Sequence, residues 1–193
     1  MSKVNQIEAT EPRQAVRATD LPQDTAPHFV HLHAHSEFSL AEGLLKVKSA
    51  VTEAAARAIP ALALTDRNNL FALVKFYEHS LAIGVKPLLG AELWIKPPQE
   101  GPAARIVALA QDAVGYKNLL ALISHSYTAA ERRGELTESQ LFERSEGLII
   151  LSGGIGGHLW QHVCSGDERT AQDTLDRWHT VFADRYYLEL TRT

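Results

Sequence analysis

A chain of 193 residues is long enough for one domain with a buried core and short for two. Its net charge of −4 excludes a global positive field that would attract nucleic acid, and its 45% apolar content is ordinary for a globular protein. One cysteine, Cys164, cannot form an internal disulfide, and neither a membrane-length apolar run nor the apolar core of a secretion signal is visible, so we expect a cytoplasmic protein.

The first 28 residues differ in texture from the rest of the chain. They are polar, carry prolines and lack sustained apolar periodicity, so they cannot bury much surface. We therefore expect a mobile tail over residues 1–28 and one domain over residues 29–193.

From Phe29 onward, short apolar runs alternate with longer amphipathic stretches. The pattern predicts strands over residues 29–34, 61–65, 86–95, 105–110, 147–152 and 185–192. It predicts helices over residues 46–59, 70–83 and 115–130, and one or two more within 157–182. Alternation of this kind is typical of a mostly parallel sheet, either a closed barrel or an open doubly wound sheet. The last predicted strand runs to the final residues with no helix after it, so we expect a fragment of a longer protein, with a natural C-terminal edge strand as the alternative.

Three histidines alternate on the first predicted strand. Because every second residue of a strand shares a face, His31, His33 and His35 are expected to point the same way, with Glu37 and Glu42 close behind. Two imidazoles spaced two residues apart can bind one zinc or manganese ion. Ordinary polar side chains at the end of a strand are an equally good interpretation of this pattern.

Carboxylates at other strands raise the same question. Asp66 follows the second predicted strand and could be a ligand, an acceptor for a ligating histidine, or the N-cap of the next helix. Glu92 and Glu189 interrupt apolar strands, and a buried carboxylate needs a cation, a metal or hydrogen-bond donors. The loop of residues 152–158 has four glycines and predicts a tight turn, with anion binding as the alternative.

The order of these motifs resembles the PHP (polymerase and histidinol phosphatase) family, in the version found in bacterial replicative DNA polymerases. The resembling stretches are FVHLHAHSEFSLAEGL, PALALTDRNNLFALVKFYEHSLAIGVKPLLGAEL, GYKNLLALIS, EGLIILSGG and DRYYLELTRT, which together cover residues 28–193. The resemblance implies an α/β fold, a distorted TIM-like (β/α)7 barrel, here incomplete after about six strands. In metal-binding members, the mouth of this barrel holds up to three ions and can hydrolyse phosphoesters.

The resemblance also implies a set of ligand positions. His33 and His35 match the first ligand pair, and Glu42, Asp66 and Glu92 match carboxylate positions. Three other ligand positions hold residues whose side chains cannot coordinate a metal ion. Arg67 and Arg105 stand where histidines are expected, and Gly154 stands where a cysteine or histidine is expected. A further expected histidine falls near Thr193.

Arginine offers no lone pair to a metal and carries a fixed positive charge. Arg67 and Arg105 are therefore expected to repel ions and to pair with Glu42, Asp66 and Glu92. We hypothesise an eroded site, with weak or absent binding of zinc or manganese. The alternative is one ion held by His33, His35 and a carboxylate.

For function, the resemblance implies a structural scaffold within a replicative polymerase. The polymerase itself would use Mg²⁺ on carboxylates that lie outside these residues. The implied partners are the rest of the polymerase chain, a proofreading exonuclease subunit, and DNA through the assembled holoenzyme, with no membrane. The competing hypothesis is an active metal-dependent phosphoesterase, either a 3′–5′ exonuclease or a pyrophosphatase-like enzyme.

Overall fold

A computed structural model describes residues 29–40, 42–98, 101–128 and 133–190. The predicted tail and Thr193 lie outside these ranges. The described residues form six α-helices: α1 Val47–Ala56, α2 Leu73–Ile83, α3 Ala113–Thr128, α4 Glu138–Phe142, α5 Trp160–Ser165 and α6 Glu168–Phe182. A short 3₁₀ turn, Ala183–Arg185, follows α6. Within the described parts of the chain, none of these helices has both the length and the hydrophobicity of a bilayer-spanning segment.

The helix ends follow from local chemistry. Helix α2 ends at Gly84, whose φ of 81° lies in the left-handed region that favours glycine. Helix α4 begins with a capping box, in which Thr137 and Gln140 each bond the other's backbone N–H. At the start of α6, the Asp167 side chain accepts a hydrogen bond from the backbone N–H of Thr170.

The strands are β1 Ala61–Leu64, β2 Lys86–Lys96, β3 Ala104–Ala110, β4 Glu135–Thr137, β5 Leu148–Leu151 and β6 Tyr186–Tyr187. They form one sheet in the order β1-β2-β3-β5-β6, and β4 pairs with the far end of β2. The pairs β1–β2, β2–β4 and β5–β6 are parallel, whereas β2–β3 and β3–β5 are antiparallel.

Several predictions from the sequence need correction. The sheet is mixed rather than mostly parallel, and in the described residues it is not closed into a barrel. Segment 29–34 is extended but forms only an isolated bridge, between His31 and Leu62. Strand β6 has two residues instead of eight, and the last two predicted residues, 191 and 192, are outside the described ranges. Strand β4 and helix α4 were not predicted, because together they span only eight residues, Glu135–Phe142.

The central strands are buried on both faces, as the continuous apolar runs predicted. On β3, Ile106 and Ala108 belong to the largest core cluster, together with α3, α4 and α6, while Val107 and Leu109 face the other side. Glu92 on β2 is paired in register with Val107, and directly opposed residues share a face. The buried carboxylate of Glu92 therefore lies on the face of the sheet turned away from the helices α3, α4 and α6.

Candidate metal centre

The extended segment before α1 brings two histidines to this face. The backbone N–H of Ala63 donates to the carbonyl of His31 at 2.8 Å, and that of Thr65 donates to the carbonyl of Ala34 at 2.9 Å. The Thr65 hydroxyl also accepts from the N–H of Ala34 at 2.9 Å. These bonds lay the segment alongside β1, so that His33 and His35 reach across β1 towards β2.

His33, His35 and Glu92 converge on one point. One potential ligand atom from each lies within 4.8 Å of the other two. The Nε2 atom of His33 is 3.2 Å, and that of His35 is 3.4 Å, from Oε2 of Glu92. The two imidazole centroids are 5.3 Å apart. The structure thus positions these three side chains as a candidate site for a metal ion.

His31 does not join them. Its ring packs edge-on against Phe29, with centroids 4.7 Å apart, and the residue is exposed. The prediction that three histidines share one face is therefore wrong, since the segment is not a regular strand along its whole length.

Glu189 holds the other side of His33. Its Oε1 accepts from Nδ1 of His33 at 2.8 Å, although the two residues are 156 positions apart. The backbone N–H of Glu189 donates to Oγ of Ser152 at 2.9 Å, which ties this segment to the end of β5. The ligand positions implied by resemblance did not include Glu189. The usable signal was a carboxylate inside an apolar strand pattern, the same signal that singled out Glu92.

The electrostatics of this group follow from its contacts. Burial disfavours a charged ring, yet hydrogen bonds to Glu189 and Glu92 and the attraction of both carboxylates raise the pKa of His33 to about 9. Burial alone would raise the pKa of Glu92, but the contacts with His33 and His35 lower it to about 2. At neutral pH, His33 is therefore a cation held between two carboxylates.

Two arginines border the group. Arg67 forms an ion pair with Glu42, and its guanidinium lies over the Trp94 ring, 4.5 Å from the centroid. The Oε2 atom of Glu42 is 3.9 Å from Nδ1 of His35, which places this ion pair at the rim of the site. Arg67 directly follows Asp66 in the sequence, and its backbone forms an isolated parallel bridge with that of Glu92.

The second arginine, Arg105, lies near the beginning of β3, and its side chain contacts the glycine-rich loop of residues 152–158. Its Nη1 lies 3.8 Å from Oε2 of Glu92. Its Nε donates to the carbonyl of Gly153 at 3.2 Å, and its Nη2 donates to the carbonyl of Ile155. The loop is a tight turn, as predicted, with positive φ angles at Gly153, Gly154 and Gly156. Its carbonyls bind a cationic side chain, whereas an anion site would need the amides to point inward.

Asp66 has a different place from the one expected. Its Oδ1 accepts from the backbone N–H of Ser36 at 2.7 Å and from Oγ of Ser39 at 2.6 Å, and its Oδ2 accepts from Oγ of Ser36 at 2.7 Å. Both carboxylate oxygens are thus engaged by the serines of the loop that follows the histidines. The N-cap interpretation is wrong, because α2 begins at Leu73.

The donor atoms that remain suit a single ion. Oε1 of Glu92 and Oε2 of Glu189 are buried and have no hydrogen-bond partner among the described residues. Nε2 of His35 also lacks a hydrogen bond, because its 3.4 Å contact with Glu92 is poorly aligned. Two imidazole nitrogens and one carboxylate oxygen are a ligand set suited to zinc or manganese, so the residues present fit one ion.

Comparisons with known proteins identify a family and several sequence relatives of this chain. The PHP domain family matches residues 31–193. The chain is 40% identical over 168 residues to the DNA polymerase III subunit alpha of Pseudomonas aeruginosa, covering 86% of this chain and 14% of that protein. It is 41% identical over 170 residues to the protein of the same name from Vibrio cholerae, covering 86% of this chain and 15% of that protein. The chain thus spans about one seventh of the length of these relatives.

Among solved structures, an amidohydrolase from Chromobacterium violaceum is a partial match. It has a TM-score of 0.38 and 26% identity, and the match covers 50% of this chain and 34% of that one.

Proposed function

Because the chain belongs to the PHP domain family, we propose that it is the N-terminal PHP domain of a DNA polymerase III alpha subunit. The identity of 40% to relatives of that name, along 86% of this chain, supports the proposal. The whole protein would then be a DNA-directed DNA polymerase that uses Mg²⁺ at carboxylates outside these residues. Primer extension by the full-length protein on a primed template tests this proposal. A folded full-length protein that does not extend the primer would contradict it.

Within such a polymerase, residues 29–193 act as a structural and docking scaffold. The observation that carries this role is the pairing of the pocket's carboxylates with the chain's own cations. Glu42 is paired with Arg67, and Glu92 lies beside both Arg105 and His33. A cluster of several ions needs unpaired carboxylates and repels fixed guanidinium charges, so these contacts oppose a multinuclear hydrolytic site.

One ion remains compatible with the pocket. His33, His35 and Glu92 would hold it, and Glu42 and Asp66 would stay outside its coordination because Arg67 and the two serines engage them. An ion of this kind supplies Lewis acidity and can lower the pKa of a bound water. The protein's own part is to hold the first segment against β2 through these side chains.

The scaffold role includes two protein contacts. One is with the remainder of the polymerase chain, and the other is with a separate proofreading exonuclease subunit, so that DNA is met through the assembled holoenzyme. Co-elution of the purified subunits tests the second contact. A polymerase that lacks residues 29–193 should lose the exonuclease subunit; retention at full stoichiometry would contradict the docking role.

A metal-dependent phosphoesterase is the second candidate, favoured by the convergence of His33, His35 and Glu92. Labelled single-stranded DNA with added manganese distinguishes the two. Scaffold function predicts no nucleotide release beyond that of the His33→Ala variant. Release that requires manganese and disappears in that variant would favour the hydrolase.

Metal analysis separates the single-ion site from a larger one. Purified full-length protein, after dialysis against zinc or manganese, should carry at most one ion that is lost in the His33→Ala/His35→Ala double variant. Two or three ions lost together in the double variant would overturn the eroded-site proposal.

A further inference from the structure

A carboxylate outside the three-residue group contacts its central member. Glu189 lies just after β6, and its Oε1 accepts from Nδ1 of His33 at 2.8 Å. Nε2 of the same ring faces Glu92 at 3.2 Å. We propose that Glu189 is a positioning residue, which turns the His33 ring so that Nε2 is presented to a divalent cation shared with His35 and Glu92. The inference deepens the single-ion site proposed above and rests on it.

The chemistry of a ligating histidine gives the reason. An imidazole can bind a metal through either nitrogen, and the hydrogen bond made by the other nitrogen decides which one is available. A metal that binds at Nε2 displaces the proton which that nitrogen carries in the metal-free protein. When a carboxylate accepts from Nδ1–H, the lone pair then lies on Nε2, the ring cannot flip, and the ligand becomes more basic. Glu189 makes this bond on the side of the ring opposite to Glu92.

Glu189 is itself fixed in place. Its backbone N–H donates to Oγ of Ser152 at 2.9 Å, and the backbone N–H of Ser152 donates to the carbonyl of Tyr187 at 2.9 Å. These two bonds fasten the segment after β6 to the end of β5. The carboxylate is only 19% exposed, so solvent competes weakly for its contact with the ring.

Sequence neighbours of the histidines cannot supply this orienting contact. His33 lies on an extended segment whose backbone bonds are made with β1, and such a segment leaves the side-chain torsions free. The Glu189 contact adds a second fixed point to the ring, from the segment that follows β6 at the opposite end of the sheet. Precise presentation of Nε2 thus depends on the last described strand as well as on the first segment.

The test is a cobalt titration of the full-length protein, followed by visible absorption. The absorption of the His33→Ala variant under the same conditions is subtracted. That difference isolates this site from the polymerase's own metal site. Glu189→Leu, which has similar volume but no acceptor, should bind cobalt about 10- to 100-fold more weakly than the wild type. Glu189→Gln retains an oxygen that can accept from Nδ1–H, so it should recover most of the affinity.

The control is Glu53→Gln, which changes an exposed glutamate on α1 that pairs with Arg57 and should leave affinity unchanged. A residue that merely stabilises the fold would give equal losses in Glu189→Leu and Glu189→Gln, alongside equal falls in melting temperature, and would overturn the proposal. So would wild-type affinity in Glu189→Leu. If Glu189→Leu does not fold, the cobalt affinities of Glu189→Gln and Glu189→Asp test the proposal instead. The Asp variant should bind cobalt more weakly than the Gln variant, because its shorter side chain cannot reach Nδ1 of His33.

Absence of any signal above His33→Ala in the wild type would overturn both the single-ion site and the positioning role. The polymerase assignment would survive that result, because primer extension tests it separately.

Discussion

Two partly buried histidines in this domain meet opposite electrostatic conditions. His33 lies between the carboxylates of Glu92 and Glu189, and its pKa is raised to about 9. His158 stacks on Trp178 with ring centroids 4.2 Å apart, and burial, with the nearby charges of Arg177 and His162, lowers its pKa to about 3. Burial opposes protonation at both sites, so the sign of the neighbouring charges decides the outcome.

The two regions are also stabilised differently. Around His33, charged groups from the first segment, β2 and the segment after β6 contact one another across the chain. Around His158, aromatic packing dominates: Trp178 also stacks on Phe182, and the Tyr186 hydroxyl lies 2.9 Å from Nε2 of His158. Packing of the second kind fixes a fold, whereas a balanced charge cluster can exchange one cation for another. Of these two regions, the one around His33 therefore has the charge arrangement of a cation site.

The largest effect should come from removing the centre of the aromatic region. Trp178 is fully buried, and its Nε1–H donates to Glu138 at 3.2 Å. Trp178→Ala leaves a cavity and removes one of the donors to the Glu138 carboxylate, which keeps its contact with Arg177, so we expect a loss of about 3–5 kcal/mol in the free energy of unfolding. Urea unfolding measures it. Trp160→Ala is the control, because Trp160 is 41% exposed and should cost far less. Equal losses would mean that the aromatic region is not the core of this domain.

The next effect is a pH dependence that belongs to His158. Its pKa in the folded state, about 3, lies below the unfolded value of 6.5, so the unfolded chain binds more protons between these values. The stability due to neutral His158 is complete above pH 6.5 and falls as the pH drops towards 3. Between pH 6.5 and 4.5, this amounts to about 2–3 kcal/mol, because each pH unit corresponds to about 1.4 kcal/mol.

His158→Phe tests that contribution, since phenylalanine can stack on Trp178 and does not titrate. Between pH 6.5 and pH 4.5, the fall in the free energy of unfolding should be about 2–3 kcal/mol smaller in the variant than in the wild type, as measured by urea unfolding at both pH values. The control is His79→Phe, on helix α2, which changes none of the groups that shift the pKa of His158 and should retain the wild-type dependence. Identical pH profiles for wild type and His158→Phe would show that His158 is not buried in its neutral form.

How far the fold follows from the sequence depends on the type of contact. The helices were predictable because their apolar spacing is local, and α1, α2 and α3 begin and end within three residues of the predicted limits. The direction of β3 could also have been deduced. The connection from β2 to β3 runs only from residue 97 to 103, which is too short for the crossover that parallel strands require. The antiparallel pairing of β3 with β5 had no comparable local signal.

The candidate site shows the same limit. His33 and His35 were identified by their spacing, and Glu92 by its place in an apolar strand. The contacts of Asp66 with Ser36 and Ser39 join residues about thirty positions apart, and serines in loops carry no distinctive pattern. Glu189 was noticed as a carboxylate in a strand, but its partner His33 is 156 positions away. Long-range pairing of polar side chains depends on strand order, and the sequence alone did not determine that order.

A moderate effect should follow from neutralising Glu92 in metal-free protein. Glu92→Gln removes one of the two carboxylates beside His33, so we expect a loss of about 1.5–3 kcal/mol at pH 7 in urea unfolding with a chelator. The pKa of His33 in the folded state, about 9, exceeds the unfolded value of 6.5, so its contribution is complete below pH 6.5 and lost as the pH rises through 9. That alkaline fall should become shallower in Glu92→Gln. Glu37→Gln, at a surface pair with Lys75, is the control and should leave the fall unchanged.

The smallest change in stability, with the sharpest change in binding, should come from Arg67→His. Arg67 is 40% exposed, so its pair with Glu42 and its stacking on Trp94 together contribute under about 1 kcal/mol. The substitution removes a fixed positive charge and adds an imidazole near His35, at a position where the family resemblance implies a histidine. We therefore expect tighter zinc or manganese binding at nearly unchanged stability. Arg57→His, at the exposed C-cap of α1, should leave metal binding as it is. Unchanged affinity in Arg67→His would mean that this arginine is not what limits the site to one ion, and that the balance among His33, Glu92 and Glu189 sets the limit instead.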